Sequence, residues 1–334
     1  MNNLYKNINR WLPAKSDGDG SLNSYEKIIY IFSSINVSLI FQHFSTRVSL
    51  LDYKFTTSAI TSGAMCFFGS LLMSFCQLGY VRNIEELFTF ASCYILTDHY
   101  LDDNTIDIED KINTIQQIDK FIGNVSGNVS GGISNQNNVS NNISENEITS
   151  PLINAVSDNY IKMVTNIPSS EQHLKKVFHA EVKTMYFQNH NNLDRDTYLH
   201  ICEWKGGLFC NAIQAILELE VTKDEYDLGA CIQLVDDMLD IDDDMSLDIN
   251  TIVTHEYKEN GNLDKLLIYG VEKINKINSK YNMFKIILLL GFTLAVHTNR
   301  EKYSSEIIDI MDNFIYFKNT TNKETLMNWM IESI

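Results

Sequence analysis

The amino-acid sequence predicts an all-α fold. Only three prolines, Pro13, Pro151 and Pro168, occur in 334 residues, so little in the chain interrupts a helix. The long stretches between them rarely alternate between apolar and polar residues as strands do. Because 44% of the residues are hydrophobic, the chain can bury one large core, and we expect a single helical domain over residues 1–334.

Helical periodicity is clearest in two segments that both end in aspartates. From Glu85 to Asp103, an apolar helix face leads up to two carboxylates and comprises Leu87, Phe90, Ala91, Tyr94, Ile95, Asp98 and Asp102. From Leu228 to Asp244, the apolar Ile232 and Val235 lead into the trio Asp236, Asp240 and Asp244. Carboxylates four residues apart share a face and repel each other, so the pattern predicts a bound cation.

Magnesium fits this pattern. Mg²⁺ prefers hard oxygen ligands and is typically held by one or two carboxylates together with substrate phosphate oxygens. Two helices that each carry carboxylates one turn apart would bind a diphosphate through such ions. The metal would also explain how a protein with a net charge of −17 binds an anionic substrate.

The charge balance and the cysteines narrow the class of protein further. The net charge of −17 argues against binding to nucleic acid or to anionic membranes through bulk electrostatics. The six cysteines form no CxxC pair and lie in apolar stretches, which is typical of reduced core thiols in a reducing, cytoplasmic compartment. The first fifteen residues lack the apolar core of a signal peptide.

Two apolar stretches and one polar segment are interpreted separately. Residues 59–81 and 283–296 are expected to be buried helices rather than stable membrane spans, because the first contains polar residues and the second is too short. Residues 123–146 consist largely of Asn, Ser, Gly and Val in near-repeats, which predicts a disordered insertion.

Three motifs resemble those of the class I terpenoid synthase superfamily. The stretch from Gln233 to Asp240, QLVDDMLD, closely resembles the second aspartate-rich motif of trans-isoprenyl diphosphate synthases. The stretch from Leu96 to Asp103, LTDHYLDD, is similar to the first DDxxD motif, with His99 in place of the second aspartate. The stretch from Tyr198 to Gly207 is similar to a family segment whose lysine grips the diphosphate and whose helix breaks just after it.

The resemblance implies a helical bundle around a central apolar cavity and a set of site residues. Three Mg²⁺ ions, for which Mn²⁺ can substitute, would be bound by Asp98, Asp102, Asp103, Asp236, Asp237, Asp240 and Asp244. Of these, Asp98, Asp102, Asp236 and Asp240 would be catalytic. The diphosphate would contact Lys205, Arg300, Lys302 and Tyr303, where the last three resemble the Arg-Tyr pair of terpene synthases. Phe90 and Tyr94 would face the cavity and stabilise a carbocation.

Departures from the family favour one of its two activities. Chain-elongating synthases carry an early basic segment, for which this chain offers only Arg47 and Lys54. They also carry an arginine pair after the first motif, which would fall here at Asp107 and Ile108. Both features bind a second diphosphate, so we expect a terpene synthase that acts on one isoprenyl diphosphate, farnesyl diphosphate, and forms a terpene or terpene alcohol.

Two alternatives stay open at this point. A trans-isoprenyl diphosphate synthase that makes farnesyl or geranylgeranyl diphosphate shares the scaffold, and a catalytically inactive helical partner subunit would share it too. The carboxylates retained in both motifs count against the inactive subunit. A homodimer is compatible with the sequence, and the Asn- and Ile-rich composition would suit a virus, acting in the host cytoplasm, or an AT-rich protist.

Overall fold

The computed structural model describes residues 37–48, 56–103, 105–107, 109–118, 151–188 and 193–312. Within these residues every regular element is a helix and none is a strand, so the all-α prediction is confirmed. The insertion predicted at residues 123–146 lies outside the described residues, and so does Lys54.

The helices alternate with short turns along the described chain. In order they are α1 (Val37–Val48), α2 (Thr57–Leu78), α3 (Ile84–Asp102), α4 (109–118), α5 (Pro151–Asn166), α6 (Glu171–Gln188), α7 (Arg195–Ile216), α8 (Lys223–Leu239), α9 (Ile241–Ser246), α10 (Ile252–Asn260), α11 (Asp264–Lys276), α12 (Asn282–Thr298) and α13 (Ser305–Asp312). Single 3₁₀ turns occur at Pro168–Ser170, Ser279–Tyr281 and Arg300–Lys302.

The helices group into two compact units. The N-terminal unit comprises Leu39–Met185 and Ala212–Glu220, and the C-terminal unit comprises Tyr186–Asn211 and the described part of Val221–Ile334. The chain therefore passes through the N-terminal unit twice. The single domain expected over residues 1–334 stays a prediction.

Aromatic packing forms the core of the N-terminal unit. The ring of Phe44 lies 6.0 Å from that of Phe67 and 5.1 Å from that of Phe88, measured between centroids. Gly63 of α2 permits this cluster, because a Cβ atom there would lie 2.6 Å from the Phe44 ring. Aromatic pairs at these distances contribute about 0.5–1.5 kcal/mol each beyond the area that they bury.

Two stretches are long and apolar enough to cross a membrane by length and composition alone. They are Ala59–Leu78 and Ser279–Thr298, and 50% of each is buried inside the protein. Core helices of soluble proteins meet the same criterion. The expectation that both are buried helices, with no stable membrane insertion, stays a prediction.

Close contact between two helix backbones defines the C-terminal unit. α7 and α8 cross where Gly206 meets Gly229, and a Cβ atom on Gly206 would lie 2.1 Å from the Gly229 carbonyl oxygen. Gly207 likewise lies against the Tyr226 ring, at 2.5 Å for an added Cβ. Only glycine lets the backbones approach this closely, so these residues set the separation of the two helices that carry Lys205 and the second aspartate cluster.

All six cysteines lie within the described residues and none forms a disulfide. Burial raises the pKa of Cys93 and of Cys231 to about 12, so both thiols stay protonated and unreactive at neutral pH. Four of the six are buried, as expected of core thiols, whereas Cys66 and Cys76 are half-buried.

Candidate metal and diphosphate site

The second aspartate cluster occupies the C-terminal end of α8. A capping box between Thr222 and Glu225 fixes the start of this helix, and Asp240 ends it. Helical hydrogen bonds continue past that point, from the amide of Asp240 to the Asp236 carbonyl at 3.1 Å and from the amide of Asp244 to the Asp240 carbonyl at 2.9 Å. The predicted four-residue spacing of the three aspartates is therefore kept, although Asp240 separates α8 from α9.

Asp236 and Asp240 are exposed, whereas Asp237 is half-buried between α8 and α7. Gln233 donates a hydrogen bond of 2.8 Å to the Asp237 carboxylate. Burial raises the pKa of Asp237, and the Gln233 hydrogen bond and the positive charge of Lys205 counteract that rise only in part. Asp237 thus faces the protein, while Asp236 and Asp240 are the two exposed carboxylates of the cluster.

The electrostatics at this end of α8 are unfavourable without a cation. Desolvation and the neighbouring charge of Asp243 raise the pKa of Asp240. The C-terminal end of a helix also carries a partial negative charge, which disfavours carboxylates there by a few tenths to about 1 kcal/mol each. A divalent cation would remove both penalties.

Lys205 lies on α7, close enough for its charge to lower the pKa of Asp237. The family resemblance predicts that the helix breaks just after this lysine. The structure differs, because α7 continues through Gly206 and Gly207 to Ile216. The two glycines provide close packing against α8 instead of a break. This contact holds Lys205 beside the second aspartate cluster.

The basic segment from Asn299 to Tyr303 is also attached to the end of α8. The buried Asn299 side chain donates a 3.0 Å hydrogen bond to the carbonyl of Met238. The Lys302 ammonium lies 2.7 Å from the Asp242 carboxylate at the start of α9. Lys205, Lys302 and the aspartates of α8 and α9 therefore belong to one part of the C-terminal unit.

Arg300 and Tyr303 take other positions. Both terminal nitrogens of Arg300 contact Asp312, at 2.9 and 3.0 Å, and one of them lies 3.2 Å from His297. Tyr303 is buried, its hydroxyl lacks a hydrogen-bond partner within the described residues, and burial raises its pKa. In this structure Arg300 binds a carboxylate, and the diphosphate contacts predicted for Arg300 and Tyr303 stay predictions.

The first aspartate motif ends α3 in the N-terminal unit. Asp98 is half-buried, and Asp102 is the last residue of the helix. Asp103 accepts hydrogen bonds from the amide and the hydroxyl of Thr105, at 2.9 and 2.6 Å, which lower its pKa. The buried Lys111 ammonium donates to the Leu101 carbonyl at 2.5 Å, and this bond anchors the end of the helix.

The two aromatic residues predicted to line a cavity are core residues of the N-terminal unit. Phe90 and Tyr94 are buried on α3, and their ring centroids lie 6.2 Å apart. The apolar lead-in to the first motif is thus buried as the periodicity predicted. Their contact with a substrate stays a prediction.

The sequence did not indicate a largely buried ionic network that includes Glu203, two residues before Lys205. Lys273 of α11 lies 2.6 Å from Glu203 and 3.1 Å from Asp227, and Tyr269 donates a hydrogen bond to Glu203. Hydrogen bonds to these acids outweigh the burial of Lys273 and raise its pKa above its usual range. The partners are far apart in sequence, so no local pattern indicated them. The network joins α7, α8 and α11.

The donor set fits a cation that needs further ligands. Within the part of the chain that the structure describes, no cluster of three or more acidic, histidine or cysteine side chains could hold a metal by itself. Asp236 and Asp240 offer two exposed carboxylates one helical turn apart. Mg²⁺ is typically held by one or two carboxylates, water and phosphate oxygens, so this set suits Mg²⁺ bound together with a phosphorylated ligand.

No family model, curated protein or solved structure matches this chain. What the site binds is therefore argued from its own residues.

Proposed function

We propose that the protein is a Mg²⁺-dependent terpene synthase that ionises an isoprenyl diphosphate, farnesyl diphosphate, and releases a terpene or terpene alcohol together with diphosphate. The observation that carries the proposal is the arrangement at the end of α8. Two exposed carboxylates one turn apart lie in the same part of the unit as two lysines, Lys205 and Lys302. A metal-bound diphosphate needs this combination of anionic and cationic groups.

Each group has a defined task in the proposed reaction. Asp236 and Asp240 would hold Mg²⁺, which neutralises the leaving diphosphate and acts as a Lewis acid. Lys205 and Lys302 would bind diphosphate oxygens and share the negative charge that develops on them. Asp98 and Asp102 are the second carboxylate pair that the sequence resemblance assigns to metal binding. Phe90 and Tyr94 would offer aromatic faces to the allylic cation, at about 0.5–2 kcal/mol each.

Two contacts support a one-substrate enzyme over a chain-elongating one. Arg47, a basic residue of the early region, binds Glu85 through both terminal nitrogens at 3.1 and 2.5 Å and lies 3.8 Å from the centroid of Phe88. Asp107, at the position of a family arginine, accepts a 2.8 Å hydrogen bond from the amide of Glu109 at the start of α4. Arg47 is thus paired with a carboxylate, and Asp107 is itself an anion where the elongating enzymes carry an arginine, which favours an enzyme with one diphosphate substrate.

One pair of assays tests the proposal. The protein is incubated with Mg²⁺ and farnesyl diphosphate, with and without isopentenyl diphosphate, and the products are analysed. We expect diphosphate and a terpene or terpene alcohol from farnesyl diphosphate alone, and no product in excess chelator. If the protein elongates farnesyl diphosphate with isopentenyl diphosphate and forms no terpene from farnesyl diphosphate alone, the proposal is wrong and the protein is a prenyltransferase.

Variants link the activity to the two motifs. Asp98→Ala and Asp236→Ala should each lower the rate by about a hundredfold or more, because each removes a charged group that the transition state needs. The control is Asp110→Ala on α4, which removes an equal charge at an exposed position. Far-UV circular dichroism of all three variants would show whether the helices are kept.

A further inference from the structure

Lys302 is a buried cation whose partners are exposed. Its side chain is only 5% exposed, and its ammonium lies 2.7 Å from Asp242 and 2.5 Å from Glu301. The ammonium also lies 5.8 Å from the centroid of the Tyr257 ring. Burial alone would lower the pKa of Lys302, but the hydrogen bonds to the two acids raise it, so the side chain is charged at neutral pH.

The two acids are in a different environment. The Asp242 side chain is 70% exposed and the Glu301 side chain is 65% exposed. If Asp242 rotated into solvent, water would solvate its carboxylate at little cost. Lys302 would then keep Glu301 as a partner but lose one of its two charge-assisted hydrogen bonds, and another anion could take the place of the Asp242 carboxylate.

The main chain around Lys302 is fixed on several sides. The Lys302 carbonyl accepts a 2.9 Å hydrogen bond from the amide of Leu263, and the next residue, Tyr303, is buried. Asn299 attaches the start of the segment to the Met238 carbonyl of α8. The main chain of Lys302 is therefore held in place and its side chain is buried, while the Asp242 side chain that pairs with it is exposed.

We propose that the Asp242 carboxylate competes with ligand for Lys302. It pairs with the Lys302 ammonium until an anionic ligand with phosphate oxygens displaces it. The inference rests on the proposed function and deepens it, because it assigns regulation of ligand binding to a residue outside the aspartate set Asp236, Asp237, Asp240 and Asp244. A phosphate oxygen can accept the same charge-assisted hydrogen bond from the Lys302 ammonium as the carboxylate that it replaces. The contact thus gives the buried lysine a second carboxylate partner beside Glu301 in the absence of ligand, at a cost in affinity.

The test measures binding of inorganic diphosphate in the presence of Mg²⁺ by titration calorimetry. Asp242→Asn should bind diphosphate about two- to fivefold more tightly than the wild type, the range that corresponds to an exposed ion pair. Lys302→Met should bind it more weakly than the wild type. Asp243→Asn is the matched control, since it removes an equal charge from the neighbouring residue of α9, whose side chain makes no described contact with Lys302.

A double-mutant comparison separates displacement from a general charge effect. The gain from Asp242→Asn should disappear in the Lys302→Met background if Asp242 acts through Lys302. An equal gain from Asp243→Asn, or a gain that persists without Lys302, would overturn the inference and leave the proposed function intact. If the variants bind diphosphate as predicted but the protein does not consume farnesyl diphosphate, the displacement of Asp242 is supported and the proposed reaction is rejected. Absence of diphosphate binding in all the variants would reject both.

Discussion

Glu225 is the residue on which the start of α8 depends. Its side chain is fully buried and accepts a 2.8 Å hydrogen bond from the Thr222 amide, together with bonds from the hydroxyls of Thr222 and Tyr281. Burial alone would raise the pKa of Glu225, but the Thr222 and Tyr281 hydrogen bonds outweigh it and lower the pKa below its usual range. The carboxylate therefore stabilises the fold in its charged form.

The pH dependence of this contribution has a definite sign. Because the pKa is lower in the folded than in the unfolded state, the stabilisation is present above the unfolded pKa of about 4.3 and is lost as the pH falls through the folded pKa. Glu225→Gln should lower the free energy of unfolding by about 1–3 kcal/mol at neutral pH. The difference from the wild type should shrink as the pH falls below about 4.

Urea denaturation of both proteins across this pH range would measure the effect. Glu272→Gln, at an exposed position of α11, is the control and should leave the free energy of unfolding unchanged. A Glu225→Gln deficit that stays constant from neutral to acidic pH would show that the ionised carboxylate is not what stabilises α8.

At the scale of elements, the crossing of α7 and α8 is the contact that tolerates least change. A Cβ atom on Gly229 would lie 2.0 Å from the Gly206 carbonyl oxygen, and backbone atoms cannot move aside as a flexible side chain can. Gly229→Ala should therefore push the helices apart and lower the free energy of unfolding by about 1–3 kcal/mol or more.

Gly69 provides the matched control. It also lies within a helix, α2, but an added Cβ atom there would meet no atom within 4 Å. Gly69→Ala should stabilise the protein by about 0.5–1 kcal/mol, since alanine is the better helix former. Thermal unfolding of the two variants should thus shift in opposite directions, and a tolerated Gly229→Ala would mean that the crossing is looser than described.

These elements also show which structural features could be predicted from residues close in sequence and which could not. The apolar face from Leu87 to Ile95 is buried as predicted, but Ser92 and Cys93, which lie outside that face, are buried as well, so α3 is surrounded on more sides than its periodicity indicated. The sequence did not indicate that α7 continues through Gly206 and Gly207. A glycine can end a helix or let another backbone pack against it, and residues close in sequence do not distinguish the two. Asn299 was missed for the same reason, as its acceptor belongs to a helix distant in sequence.

For the whole molecule, the net charge of −17 makes cations a source of stability. Simple salt screens this charge, whereas Mg²⁺ bound at the proposed site would stabilise the protein through its binding free energy, about 2.7 kcal/mol at a hundred times its Kd. Mg²⁺ should therefore raise the Tm by several degrees more than sodium chloride of the same ionic strength.

The difference should depend on the site. Asp236→Asn should reduce the Mg²⁺-specific increase in Tm, whereas Asp110→Asn should not, although both remove one exposed carboxylate. Equal stabilisation by the two salts at matched ionic strength would show that magnesium acts only by screening.

The path of the chain through its two units has a consequence for biosynthesis. The N-terminal unit is complete once Glu220 has left the ribosome, whereas the C-terminal unit also needs the residues that follow. α8 ends at Leu239, so at about 5–20 residues per second its last residue follows Glu220 after about 1–4 seconds. During that interval the Gly206 face of α7 has been translated but its partner helix α8 has not, so a nascent chain exposes this face to chaperones before it can close.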